Sequence, residues 1–78
     1  MIELLFFAQL QEEVGSKSVT IEANDISISD IMNQFLAKYD IQHLLDEAMI
    51  AVNEEYSQKD TVVLAGDIVA FIPPVSGG

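Results

Sequence analysis

The chain opens on Ile2-Glu3-Leu4-Leu5-Phe6-Phe7, a short apolar run rich in strand-forming residues. Glu3 is its only charged marker. That turns Ile2, Leu4 and Phe6 toward a core and leaves Leu5 and Phe7 on the other face. Leu10 and Val14 stand at i, i+4 within residues 8–14, a short helical turn closed by Gly15. Residues 17–22 alternate again and predict a second strand, after which Asn24-Asp25 turns the chain.

The strongest periodicity follows. Ser27 with Asp30 three positions on resembles a capping box, Asp standing in for the usual Glu or Gln. Ile28, Ile31, Met32, Phe35, Leu36 and Tyr39 then recur as one apolar helical stripe. Asp40 and Ile41-Gln42-His43 leave this helix, and Leu44, Leu45 and Ala48 form another short turn. Residues 49–53 read as a third strand closed by the polar Asn53-Glu54-Glu55, and residues 61–64 as a short edge strand. Ala65-Gly66-Asp67 turns into Ile68-Val69-Ala70-Phe71-Ile72, a strand with no polar member. Such a strand is either central in a doubly covered sheet or short of a partner on one face. Pro73-Pro74 ends its pairing. Strand, strand, helix, then strands, with the last parallel to the first, predicts an α+β architecture of the β-grasp kind: a mixed β-sheet with one main helix on one face.

Length and composition narrow the function. The 78 residues make a single domain, 1–78. A chain of this size buries only about 60–65% of its unfolded surface. Half of the residues are hydrophobic, too many for a disordered acidic tail. Thirteen Asp and Glu against three Lys and Arg give a formal net charge of −10. This charge repels nucleic acid and anionic membrane surfaces and steers partners with basic patches toward the chain. The absence of cysteine excludes disulfides, thiolate nucleophiles and Cys-based metal sites. Met1-Ile2-Glu3 lacks the positive region of a signal peptide, and the apolar runs are far short of the ~20 residues of a membrane helix, so the expected location is cytoplasmic.

Candidate chemistry inside the fold is sparse. His43 has no metal-ligand spacing around it, the serines sit in no GxSxG context, and the glycines form no phosphate cradle. Neighbouring carboxylates at Glu12-Glu13, Asp46-Glu47 and Glu54-Glu55 point apart in any regular element. The final residues differ. Pro73 and Pro74 favour an extended path off the sheet, and Gly77 and Gly78 lack the Cβ atoms that would bar a narrow channel. An extended, flexible tail over residues 73–78 would deliver its own α-carboxylate. Adenylated by a partner's ATP and attacked by sulfur, that group becomes a thiocarboxylate, by which a cysteine-free protein could carry sulfur.

The sequence resembles the small, sulfur-carrier subunits of molybdopterin synthases. The resemblance lies in Leu5-Phe6-Phe7-Ala8-Gln9-Leu10 with Gly15 following, in Ala51-Val52-Asn53, and in the block from Gly66-Asp67 through Ile72-Pro73-Pro74-Val75-Ser76-Gly77-Gly78. A bare Gly-Gly end also suits thiazole-forming sulfur carriers of thiamine synthesis and ubiquitin-like modifiers. Gln11 departs from the family, where Arg is common. The resemblance implies a ubiquitin-like β-grasp fold and a cycle centred on Gly78. An E1-like adenylyltransferase activates its carboxylate with ATP, and a donor such as a cysteine desulfurase system supplies sulfur. The tail, through Pro73, Pro74, Val75, Ser76 and Gly77, then enters the large synthase subunit. There the sulfur builds the dithiolene of molybdopterin from cyclic pyranopterin monophosphate. The implied assembly is two small and two large subunits, with no cofactor or metal bound by this chain and no catalysis by it alone.

Strand parity adds a docking surface. With Ile2, Leu4 and Phe6 on the core side, Leu5 and Phe7 share the opposite face with Ala70 and Ile72, and Tyr56 extends it. An apolar face beside the emerging tail is where a partner should grip.

Overall fold

A computed structural model describes residues 1–74. Its five-stranded sheet is built around β7, Ile68–Ile72, in the order β2-β1-β7-β4-β5. β1 (Ile2–Phe6) runs parallel to β7 on one side and β4 (Met49–Val52) antiparallel on the other. β2 (Ser18–Ile21) pairs antiparallel with β1, and β5 (Glu55–Ser57) with β4. The parallel β1–β7 pair needs a long crossover, and the helices between them supply it. The mixed sheet with its main helix on one face is the expected α+β, ubiquitin-like architecture.

The register stacks the core in rows. Phe6 pairs with Phe71 and Phe71 with Ile50; Leu4 pairs with Val69 and Val69 with Val52. The Phe6 and Phe71 rings stack with centroids 5.7 Å apart and planes 13° from parallel. This face is closed by α2 (Ile28–Phe35), whose Ile28, Ile31 and Met32 are buried against the strands. Ser27 caps the helix as its sequence predicts, its hydroxyl accepting the Asp30 N–H at 3.1 Å. The short α1 (Gln9–Val14) inserts fully buried Leu10 and ends on Gly15, left-handed at φ 84°.

Three features depart from the sequence reading. The apolar stripe to Tyr39 is not one helix. α2 stops at Phe35, and a 3₁₀ turn over Ala37–Tyr39 follows, with the Tyr39 N–H bonded to the Leu36 carbonyl. Asp40, left-handed at φ 56°, ends the turn, and α3 (Gln42–Leu45) follows. The predicted edge strand is reduced to β6 (Val62–Val63), and it lies outside the main sheet. It pairs with β3 (Ile26–Ser27), clamps the start of α2 and drives Val63 fully into the core. On the β4 side the sheet ends instead in β5, where the sequence suggested only a polar end to the third strand.

One polar corner joins β4, β7 and β1. The Asn53 N–H donates to the Ile68 carbonyl at 2.8 Å, and its side-chain oxygen accepts the Ile68 N–H at 3.0 Å. Its side-chain amide donates to the Asp67 carboxylate at 3.1 Å, which also accepts the Leu64 N–H at 2.9 Å. The Asp67 carbonyl accepts from the Glu3 N–H at 3.2 Å, and Gly66, left-handed at φ 97°, donates to the Met1 carbonyl at 2.7 Å. The Leu64 N–H and then the Asn53 amide hold the Asp67 carboxyl below its ordinary value of 3.8.

Two outcomes follow for stability. Phe71→Ala should cost about 3–5 kcal/mol. Phe7→Ala, one residue past the core aromatic Phe6 but 44% exposed, should cost under about 1 kcal/mol; urea unfolding of both compares them. A carboxyl whose pKa is lowered by folding stabilises the fold above its unfolded value and stops doing so as pH falls through the folded one. Asp67→Asn should therefore lower the unfolding midpoint at neutral pH, and the gap from wild type should shrink as pH passes below 3.8. A gap that stays constant across that range would refute the charged role of Asp67.

Candidate functional site

The sheet face away from α2 carries a groove, and the register accounts for its shape. One row runs across it as Tyr56, Ala51, Ala70 and Leu5, each paired with the next. Two alanines in the middle make a low floor, and Tyr56 and Leu5 at either end make walls. Ile72, paired with Met49, lies in the adjoining row beside Phe7, whose N–H continues the ladder to the Phe71 carbonyl at 3.3 Å. Ile68 and the Asn53–Glu54 turn close the other end. The groove encloses about 640 Å³. Phe7 is 44% and Tyr56 73% exposed, large apolar surfaces for a chain of this size.

All five residues expected on this face, Leu5, Phe7, Tyr56, Ala70 and Ile72, line the groove. Strand parity missed four more: Ala51, Asn53, Glu54 and Ile68. Ile68 was recoverable, because it shares parity with Ala70 and Ile72. Ala51 and the turn were not, because their position depends on β5 folding back beside β4. Pairing of β7 ends at Ile72, after which Pro73 is buried and Pro74 exposed. Val75, Ser76, Gly77 and Gly78, which carry the expected tail chemistry, lie outside the described residues.

The rest of the surface offers little chemistry. His43 is exposed on α3, and among the described residues no three His, Cys, Asp or Glu side chains gather as metal ligands. Gln11 is half-buried on α1, its carbonyl accepting the Gly15 N–H at 2.9 Å. Among the described residues the ion pair is Lys59 with Asp46 at 3.6 Å, exposed on both sides and worth little. No helix of the described residues is long and apolar enough to cross a membrane.

This arrangement can bind an apolar partner surface beside β7, and among the described residues it brings no nucleophile together with a base. Known proteins resemble the chain in sequence and in fold. The molybdopterin synthase sulfur carrier subunit of Escherichia coli is 36% identical over 81 aligned positions, covering all of both chains. Its counterpart from Haemophilus influenzae is 30% identical over 82, again covering both. Among solved structures, small archaeal modifier protein 1 (SAMP1) from Haloferax volcanii superposes with a TM-score of 0.84 at 26% identity, covering 99% of this chain and 98% of that one. A chain from the complex of subunits 1 and 2 of the molybdopterin-converting factor of Helicobacter pylori gives 0.70 at 26% identity, covering 99% and 97%. The sequence pattern of the ThiS family matches residues 4–78, and the chain belongs to that family.

Proposed function

We propose that this chain is the sulfur-carrier subunit of a molybdopterin synthase, with the α-carboxylate of Gly78 as the group that bears the sulfur. The observation that carries this reading is the 36% identity, along the whole of both chains, to the E. coli sulfur carrier subunit. In the proposed cycle the Gly78 carboxylate attacks the α-phosphorus of ATP on an E1-like adenylyltransferase and pyrophosphate leaves. The terminal sulfur of a persulfide from a cysteine-desulfurase system then displaces AMP from the acyl carbon, and a thiol reductant cleaves the resulting acyl disulfide, itself ending in a disulfide, to leave the thiocarboxylate. The large synthase subunit docks on the groove, takes the tail through Pro73 to Gly77, and supplies the catalytic side chains that build the dithiolene. The chain acts as donor in the cytoplasm, binding no cofactor of its own. That subunits 1 and 2 of the H. pylori factor form a complex supports a large-subunit partner here.

The likeness to SAMP1 favours a second reading, a protein modifier whose Gly78 is joined to lysines. Conjugates that survive denaturant and thiols in cell extracts would mark it. The relatives named above do not favour the thiamine pathway.

Intact mass after incubation with the adenylyltransferase, ATP and a sulfur donor should rise by the exchange of one oxygen for sulfur. A variant lacking Gly78 should not change. An unchanged wild-type mass with an active enzyme would overturn the carrier assignment. Phe7→Glu should weaken binding of the large subunit by about tenfold or more while leaving the unfolding midpoint near wild type. Normal affinity by calorimetric titration would remove the groove from the docking surface.

A further inference from the structure

The groove is lined by uncharged residues with one exception, Glu54. Its position is unusual on two counts. Val52 pairs with Glu55, so Asn53 and Glu54 form a two-residue hairpin turn. Both are left-handed, at φ 51° and 72°. That turn suits Asn at its first position and Gly at its second, because a Cβ crowds the backbone there. A glutamate at the second position strains the hairpin at a point where glycine would relax it. Strain held at the edge of a binding surface is a mark of function.

The turn is also fixed in place. Asn53 is tied to Ile68 by two hydrogen bonds and to Asp67 by a third, so the turn is anchored at one end of the groove. Among the described residues no cation pairs with the Glu54 carboxylate. The sequence has three lysines and no arginine. Lys59 pairs with Asp46 across the molecule, and no lysine lines the groove. The next acid on this face, Glu3, is paired with Ile68 but does not line the groove.

We infer that Glu54 sets the specificity of docking: the large subunit that fills the groove places a lysine or arginine against its carboxylate. The inference rests on the docking role proposed above and adds its polar determinant. The apolar floor accepts many surfaces of similar shape, and a fixed carboxylate at its rim rejects those without an opposing cation. Glu54 is exposed, so its charge is screened by salt and contributes most at low ionic strength.

Calorimetric titration of the purified chain with the large synthase subunit of the same organism, at low and high salt, tests this. Glu54→Gln keeps the strain and removes the charge. It should leave the unfolding midpoint unchanged, weaken binding by about tenfold at low salt, and approach wild type at high salt. Glu54→Gly removes both. It should raise the unfolding midpoint yet weaken binding similarly, separating the residue's cost to the fold from its use at the interface. Wild-type binding that Phe7→Glu weakens and Glu54→Gln does not would overturn the role of Glu54 alone. A wild-type chain that fails to bind at all would overturn the docking assignment as well.

Discussion

The structure depends on β7 being apolar on both faces in a chain that can cover only one. Val69 and Phe71 are fully buried under α2, and their neighbours Ile68, Ala70 and Ile72 must then point the other way. A small domain has too little chain to build a second helical layer. The uncovered half of its central strand is therefore left as an open apolar face. The neighbours β1 and β4 add Leu5 and Ala51 to that surface by the same parity. Core and groove are two sides of one set of strand pairings, so a residue slip in β7 would exchange them.

Central placement of β7 requires that its start be held in register on both sides, and the Asn53–Asp67 corner does this. Asn53 closes β4 onto Ile68, and the Asp67 carbonyl starts the pairing with β1 through Glu3. Ala51-Val52-Asn53 and Gly66-Asp67, two of the segments on which the family resemblance was read, meet here. Their chemistry is structural: an amide and a carboxylate whose acceptor and donor groups are spent on backbone and on each other. Asn53 and Asp67 are the fastening of the sheet.

Much of this was legible beforehand. The alternation of Ile2, Leu4 and Phe6, the stripe from Ile28 to Leu36 and the Ser27 cap each rest on local periodicity or a single short-range bond, and each formed as expected. What was hidden depends on partners distant in sequence. Glu55-Tyr56-Ser57 has no apolar alternation, and the turn before it carries Glu54 where glycine would have announced a hairpin. β5 therefore passed as a polar loop end, and Ala51 and Glu54 were lost from the groove with it. Residues 61–64 had strand character, but nothing local tells whether Val63 joins the main sheet or pairs with Ile26, 37 residues earlier. Tyr39 kept the helical spacing although the backbone had already tightened into a 3₁₀ turn, because i+3 contacts serve both geometries.

The open face and the net charge of −10 solve different parts of one recognition problem. Apolar surface gives affinity without much discrimination, because burial is non-directional. Charge spread over the exterior accelerates encounter with basic partners but contributes little once a complex has formed. Neither alone tells one partner from another of like shape and charge. Discrimination needs a polar group fixed where apolar contact is made, since only there does the lack of a counterpart leave a desolvated charge unanswered. The Asn53–Glu54 turn meets that condition: its first residue is spent in holding the sheet together, which fixes the place of the second beside the groove. The strain in the turn is then intelligible as the consequence of putting a carboxylate, rather than glycine, at the tightest point of the hairpin.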